Sequence, residues 1–383
     1  MFQKNREPKS LYMISTNPKK RKLVITGGHH SSAIPVIKEI WRRDPTVEIY
    51  WFGHKYSMKG DKNPTLEYRQ ITGMGIRFFA LQAGKVYKTY NILRLAKVPF
   101  GFLHAFVLLI KIRPNLVLSF GGYLAVPVVL ASYFLKIPSI THEQTVVAGY
   151  ANKVISGFAQ KIMLSWLESE KFYPRNKTVL TGIPLRKDIF TSASSKFNVN
   201  TQLPTIYVTA GKTGSHKINM LIRDSLPKLL YLVNIIHQCG DHSYYKDYGI
   251  LEREAEVYRA APGKYIPAKF VLDEEIGEVF KLSALVVSRA GAHIISEILV
   301  LEKPSLLIPI SWVSHNEQHI NAEVVKKAGL GEIMDEKDLT VENFSQKIEL
   351  MLKNISSYKV KNGNVRIIKD AESKIADIVF SYL

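Results

Sequence analysis

Short apolar runs alternate with stretches of helical periodicity along almost the whole chain. In the first half the runs at 23–26, 47–52, 116–120, 139–142, 161–164 and 178–180 have the length and the aliphatic content of buried strands. Helical spacing between them predicts helices from Gly27-Gly28 through Trp41, from about Val126, and over 148–158. A polar stretch rich in Ser, Thr and Asn, 191–202, predicts a linker. Beyond it the alternation restarts, with strands expected at 205–209, 232–237, 270–271, 284–287 and 305–308 and a helix at 293–301. The closing segment, 361–383, has the pattern of a basic amphipathic helix. Repetition on this scale predicts an α/β protein of two doubly wound, Rossmann-like domains facing across a cleft. The expected divisions are an N-terminal arm (1–22), a first domain (23–190), the linker (191–202), a second domain (203–357) and a C-terminal helix (358–383) packing back towards the first domain.

In such folds ligands bind beyond the carboxyl ends of the strands, so the turns there carry the candidate chemistry. The most informative is Ser288-Arg289-Ala290-Gly291-Ala292-His293-Ile294-Ile295-Ser296-Glu297-Ile298. A strand, a glycine turn and a helix in that order aim unpaired amides and the positive end of a helix dipole at one point, which suits a phosphate. Glu297, within the helix, is placed to reach a sugar hydroxyl beside that phosphate, or else is a surface glutamate on an ordinary turn. Further turns are Gly27-Gly28-His29-His30-Ser31-Ser32, Gly121-Gly122-Tyr123, Gly182-Ile183-Pro184-Leu185-Arg186 and Ala210-Gly211-Lys212-Thr213-Gly214-Ser215. The first lacks the G-x-G-x-x-G spacing of a dinucleotide site, and the last lacks the leading glycine of a Walker A loop, because Ile206 stands there. Its amides and Lys212 can still hold phosphate, with a plain surface lysine as the alternative. Gln318 and Asn321, after the strand at 305–308, suit hydroxyl recognition.

Composition narrows the class. The 383 residues leave room for two domains, and the single cysteine, Cys239, excludes a disulfide framework and a cysteine-based zinc cluster. A formal net charge of +19 draws the chain to polyanions. Part of that charge lies in the first 22 residues, where Lys4, Arg6, Lys9, Lys19, Lys20, Arg21 and Lys22 face only Glu7 without an apolar core, as in a flexible basic arm and not a signal peptide. Part lies at 85–113, where Lys85, Lys88, Arg94, Lys97, Lys111 and Arg113 interleave with Tyr87, Tyr90, Phe100, Phe102 and Phe106. That pattern fits a helix on an anionic membrane surface, or a core helix with a solvated basic face. The apolar stretch 116–135 is broken by Gly121-Gly122 and Pro127, so a transmembrane anchor is not expected. Without an RNA-binding or helix-turn-helix signature, nucleic acid is not an expected partner.

Taken in order, the turns resemble those of the MurG-type transferases, the UDP-N-acetylglucosamine:undecaprenyl-pyrophosphoryl-N-acetylmuramyl-pentapeptide N-acetylglucosaminyltransferases of peptidoglycan synthesis. The resemblance is carried by Thr26-Gly27-Gly28 with Pro35, Gly121-Gly122-Tyr123 with Pro127, and His142-Glu143-Gln144 with Ala148-Gly149 and Asn152. It continues through Gly182 to Arg186, Gly214 with Ile218-Asn219, Arg289-Ala290-Gly291-Ala292, Ser296-Glu297-Ile298, and Gln318 with Asn321-Ala322. It implies a GT-B glycosyltransferase fold with a lipid-linked acceptor on the first domain and the nucleotide sugar on the second. It also implies inverting transfer of N-acetylglucosamine from UDP-N-acetylglucosamine to the polyprenyl-pyrophosphate-linked lipid I, giving lipid II. That chemistry needs no cofactor and no tightly bound metal, and belongs to a peripheral protein on the anionic cytoplasmic face of the cell membrane. The alternatives are a relative acting on another lipid such as diacylglycerol, or a non-catalytic UDP-sugar-binding membrane partner.

By that match Glu297 holds the ribose hydroxyls, the amides of Ala292, His293 and Ile294 face the diphosphate, and Arg186 lies near the nucleotide. Lys212, Thr213 and Gly214 are phosphate contacts, and Gln318 and His319 touch the donor sugar. Gly27, Gly28, Ser32, Gly121, Gly122, Tyr123, His142, Thr145 and Asn152 line the acceptor side. The chain departs from the family at Ser32, where the family has a histidine proposed as general base, and at Thr145, where it has an asparagine. His30 and His29 are the nearest candidates for the base; Glu143, with His142, is a rival that a buried structural role would equally explain.

Overall fold

A computed structural model describes residues 20–56, 64–81, 97–192, 194–211, 213–242, 244–310, 316–361 and 367–383. Among them the first domain is built on a seven-stranded parallel sheet in the order β3-β2-β1-β4-β5-β6-β7. Its strands are β1 (Lys22–Thr26), β2 (Glu48–Gly53), β3 (Arg77–Ala80), β4 (Leu116–Ser119), β5 (Ser139–Glu143), β6 (Lys161–Leu164) and β7 (Thr178–Leu180). The second domain repeats the design with six strands, β10-β9-β8-β11-β12-β13. These are β8 (Thr205–Thr209), β9 (Asn234–Gln238), β10 (Tyr265–Ala268), β11 (Ser283–Ser288), β12 (Ser305–Leu307) and β13 (Gly331–Ile333). In each sheet the strand order reverses once, between β1 and β4 and between β8 and β11. Doubly wound sheets take their ligands in the crevice outside that switch point. Four of the glycine turns read from the sequence fall at these two places: 27–28 after β1, 121–122 after β4, 210–215 after β8 and 289–291 after β11.

The central strands are buried on both faces, which is why they are unbroken apolar runs: Leu23, Val24 and Ile25 in β1, Leu116, Val117 and Leu118 in β4, and Leu285, Val286 and Val287 in β11. Helices cover the sheets. In the first domain these are α1 (His30–Arg43), α2 (Leu66–Gly73), α3 (Lys97–Ile112), α4 (Ala125–Phe134) and α5 (Tyr150–Ser156). In the second they are α6 (His216–Leu229), α7 (Asp247–Val257), α8 (Asp273–Leu282), α9 (Ala292–Val300), α10 (Glu317–Lys327) and α11 (Val341–Lys353).

The last helix, α12 (Ala371–Phe380), lies on α1 of the first domain. Ile375, Ala376 and Val379 join one core with Ile37 and Ile40, and Arg43 donates to Asp377 at 2.5 Å and to Ser373 Oγ at 2.6 Å. Buried Glu39 of α1 receives Arg42 and Arg43 at 2.8 Å each, with Lys187 of the interdomain connection at 3.5 Å. The Arg42 hydrogen bond above all, against the opposing effect of burial and helped by Arg43, brings the Glu39 carboxyl down to about 2. Both crossings between the domains are therefore anchored at the α1–α12 pair.

Several elements differ from the sequence expectation. The edge strands β3 and β13 are four and three residues long, too short to show a period. Residues 270–271 are not a strand: β10 pairs with β9 as Tyr265↔Ile235, and the Val271 amide donates to Gln238 Oε1 at 2.9 Å in the loop beyond. Pro267 inside β10, tolerated because the strand lies at an edge, disguises it in the sequence. Helix α5 is shorter than 148–158, and α12 covers only part of 361–383. Residues 1–19 of the basic arm and 82–96 of the basic, aromatic segment lie outside the described residues.

Candidate active site

The floor of the cleft on the first domain is made of two glycine turns in contact: a side chain at Gly28 would approach the Gly121 carbonyl. Gly121 itself has φ +76, and a Cβ there would stand 2.9 Å from Asn152 Nδ2. Glycine is thus required twice over, by backbone conformation and by space. Asn152 is buried beneath the turn, donating to the His142 carbonyl at 3.3 Å and to Glu143 at 3.1 Å and accepting from Thr141 Oγ1 at 2.9 Å. It braces the turn from below and does not line the cleft.

Glu143 is spent in the same way. Its carboxylate accepts from the Thr145 amide at 3.0 Å, Thr145 Oγ1 at 2.8 Å, the Gly149 amide at 3.1 Å, Asn152 at 3.1 Å and the Tyr173 hydroxyl at 2.5 Å. A carboxylate offers roughly four lone-pair sites. No acceptor capacity is left for a substrate proton, so Glu143 pins the loop after β5 and is not placed as a base. Thr145 Oγ1 is engaged with Glu143 and the Val147 carbonyl, inside that loop. His142 is fully buried with Nε2 donating to the Gly182 carbonyl at 2.9 Å. Burial brings its pKa down to about 4, so it is a neutral core residue out of reach of a substrate.

Around the first turn the imidazoles are different. His29 lies on the cleft floor with its ring open to cleft water, and Nδ1 bonds the Phe120 carbonyl at 2.9 Å. A carbonyl only accepts, so Nδ1 carries the proton and Nε2 is the basic atom. The protein mass around the ring lowers its pKa, with the Phe120 bond opposing. His30 is half-buried at the start of α1. Ser32, an expected acceptor contact, is instead fully buried, because His293 of the second domain covers it: Ser32 Oγ and His293 Nε2 are 3.1 Å apart.

Behind the turn stands Glu67 of α2, which the sequence reading missed. Its carboxylate takes Trp51 Nε1 at 2.7 Å and the amides of Gly28 and His54. Burial raises its pKa, and these hydrogen bonds oppose the rise. Tyr123 hydrogen-bonds His54 Nε2 beside it, adding to the polar shell around the glycine turns.

On the second domain, α9 begins at Ala292 after Gly291, which has no side chain with which to cap the first-turn amides of Ala292, His293 and Ile294. The turn is buttressed by Arg289, buried, which donates to the Ile308 carbonyl and to Ser215 Oγ at 3.0 Å each and pairs with Glu336. Asn321 of α10 donates to the Ala290 carbonyl at 3.0 Å, and Gln318 accepts from the Ile310 amide at 3.1 Å.

Glu297, buried on α9, accepts from Arg186 Nε at 3.2 Å, and Arg186 Nη1 reaches Asp273 at 2.7 Å. Burial works against the Arg186 charge, and the two carboxylates, Glu297 foremost, more than restore it. Thr213 is exposed on the loop after β8, where a side chain at Gly214 would run into the Cys239 carbonyl; Lys212 lies outside the described residues.

Two findings on α10 revise the donor-sugar expectation. His319 faces Asp335 at 3.8 Å, in a depression of about 350 Å³ shared with Glu323, Lys326 and Lys347. Glu317, one residue before Gln318, is the carboxylate that the sequence reading passed over. Burial, then the charge of Glu143, raise its pKa.

Outside the cleft, α3 buries Ala105, Leu109 and Ile112 and exposes Phe100 (54%), Leu103 (59%), Val107 (61%) and Ile110 (47%). Phe134 of α4, 66% exposed, packs edge-on against Phe102 beside this stripe, and Lys111 and Arg113 stand exposed at its end. Over the described part of 85–113 the exposed face of α3 is apolar, with its basic residues at the end. Among the described residues no helix is long and apolar enough to cross a membrane.

Two parallel sheets that share the same order over six strands, meeting at their switch points with glycine turns and a half-buried arginine on a buried glutamate, define a nucleotide-sugar enzyme of the GT-B fold. The chain matches the glycosyltransferase family 28 N-terminal domain over residues 26–164 and the family 28 C-terminal domain over 205–378. It is 31% identical over 378 residues to the UDP-N-acetylglucosamine–N-acetylmuramyl-(pentapeptide) pyrophosphoryl-undecaprenol N-acetylglucosamine transferase of Clostridium tetani, covering 95% of this chain and 98% of that one. It is 33% identical over 379 residues to the same-named protein of Lachnoclostridium phytofermentans, covering 94% and 98%. Its fold superposes on Acinetobacter baumannii MurG with a TM-score of 0.70 at 21% identity, over 95% of this chain and 100% of that one. A UDP-GlcNAc 2-epimerase from Neisseria meningitidis shares the fold at a TM-score of 0.62 and 13% identity, over 94% and 100%. The chain belongs to glycosyltransferase family 28, in the MurG group of N-acetylglucosamine transferases, and is a hexosyltransferase.

Proposed function

We propose that this protein transfers N-acetylglucosamine from UDP-N-acetylglucosamine to undecaprenyl-pyrophosphoryl-N-acetylmuramyl-pentapeptide with inversion, converting lipid I to lipid II. The observation that carries this reading is the donor turn, where uncapped α9 amides and the Arg186–Glu297 pair meet at the β8/β11 switch point. The diphosphate sits on the α9 amides, whose partial positive charge grows in value as the leaving group gains negative charge. Glu297 exchanges part of its Arg186 contact for the ribose hydroxyls, and Arg186 adds positive charge nearby.

On the other wall, the acceptor pyrophosphate lies over the paired glycine turns, beside His29 and His30. A sugar hydroxyl attacks the anomeric carbon from the face opposite UDP, and a cleft imidazole takes its proton. The apolar stripe of α3, with Lys111 and Arg113 at its end, seats the first domain on the anionic cytoplasmic face of the membrane, where the acceptor is held. Each basic residue near such a surface contributes about 1 kcal/mol. Acceptor profiling tests the reading: labelled UDP-N-acetylglucosamine offered to vesicles carrying either the muramyl lipid or diacylglycerol gives product with the former alone. Product with diacylglycerol alone overturns it.

A further inference from the structure

Ser32 stands in the first turn of α1, and an imidazole from the opposite domain occupies the space in front of it. We propose that His293 is the general base of the transfer, supplied from the donor domain across the cleft. The inference rests on the glycosyl-transfer reading above and names a catalytic residue for it.

Position is the first support. His293 is the second residue of α9, on the turn that faces the diphosphate, and its Nε2 lies 3.1 Å from Ser32 Oγ on α1. An atom held between those helices stands on the seam where the new bond must form. The attacking oxygen comes from the acceptor turns, and the anomeric carbon hangs from the diphosphate on α9. His29 has its Nδ1 on the Phe120 carbonyl of its own domain, and the bridge between α1 and α9 is made by His293.

Chemistry is the second. A hydroxyl already lies within hydrogen-bonding distance of Nε2. An acceptor hydroxyl that takes the place of Ser32 as the domains part inherits that distance, which is the reach a base needs. The charges of His29, Arg186, His30 and His142 act on the ring from nearby. Burial first, and these neighbours after it, lower its pKa to about 3, so the ring is neutral in the free protein but only weakly basic there. A diphosphate bound beside it raises that affinity for the proton when donor is present. In the step, the acceptor oxygen bonds the anomeric carbon as its proton passes to His293 Nε2. The carbon–oxygen bond to the diphosphate breaks, and its electron pair leaves on UDP.

A residue exchange tests this in the full-length protein. His293→Ser, His293→Gln and the double variant Ser32→His/His293→Ser are compared for transfer kcat at saturating donor and for UDP affinity by calorimetry. The single variants are expected to lose about 10²–10⁴-fold in kcat. Their UDP affinity stays within about threefold, which separates lost chemistry from lost fold. Returning the imidazole to the acceptor helix in the double variant regains at least about tenfold over His293→Ser. The proposal is overturned if His293→Ser keeps kcat within about threefold of the parent, or if the double variant gains nothing. Absence of product from the unmodified protein overturns the transfer reading itself; product from it together with a fully active His293→Ser variant overturns only the base.

Discussion

Replacing Glu297 by glutamine probes the donor half of the site with little change of shape. The carboxylate is buried, accepts from Arg186 Nε at 3.2 Å, and shares that arginine with Asp273 at 2.7 Å. In the free protein Asp273 keeps Arg186 paired after the substitution, so the fold is expected to survive. In the complex the loss is larger. A carboxylate can accept from both ribose hydroxyls while keeping its charge, whereas the glutamine amide offers one acceptor oxygen. Hydrogen bonds to a charged group contribute about 1.5–3 kcal/mol each, so one lost bond weakens UDP by roughly 10- to 150-fold. Calorimetric titration with UDP measures this directly, and 2′,3′-dideoxy-UDP completes a cycle. The parent protein should discriminate against the dideoxy analogue, which lacks both hydroxyls, by at least that factor, and Glu297→Gln should discriminate less. Equal discrimination by both proteins, or UDP affinity within about threefold of the parent, refutes the assignment of Glu297 to the ribose.

Glu39 makes stability depend on acid: its carboxyl lies at about 2 in the fold against an ordinary 4.5, so its contribution is present above about 4.5 and is lost as pH falls towards 2. Since Arg42 and Lys187 are mostly exposed, the contribution is on the order of 1–2 kcal/mol; urea melts at pH 6 and pH 3 should show it, and Glu39→Gln should remove it. The pair Leu103→Asp and Val107→Asp removes the apolar stripe of α3 without touching the core, so sedimentation with anionic vesicles should fall by at least about tenfold while UDP affinity stays unchanged. Gly121→Ala forces a side chain into a positive-φ position against Asn152, and should cost about 1–3 kcal/mol in thermal stability and lower transfer more than UDP binding.

The donor half was legible in the sequence because it is local. A strand, a glycine turn and a helix consecutive along the chain place the amides and Glu297 together, and only the Arg186 partner comes from far along the chain. The acceptor half was less so. Asn152, Glu143 and His142 carry family motifs, yet the structure turns them inward, since a motif records spacing and not which face of a loop meets the cleft. Glu67 had no local signal at all, because it reaches the Gly28 amide from a different βα unit. On a helix one residue beyond Gln318, His319 points about 100° from it, towards Asp335. The Ser32–His293 contact joins the two domains and was beyond any reading of either segment alone.

The central claim is that the paired switch-point turns bring a UDP-linked sugar and a lipid-linked acceptor together for inverting transfer. The most direct measurement is incubation of the full-length protein with UDP-N-acetylglucosamine labelled at the anomeric carbon and the muramyl-pentapeptide lipid in anionic vesicles, followed by magnetic resonance of the product. The account predicts a lipid-linked disaccharide with a β linkage and one UDP released per sugar transferred. An α linkage, release of the free sugar alone, or conversion of the donor without transfer would contradict it.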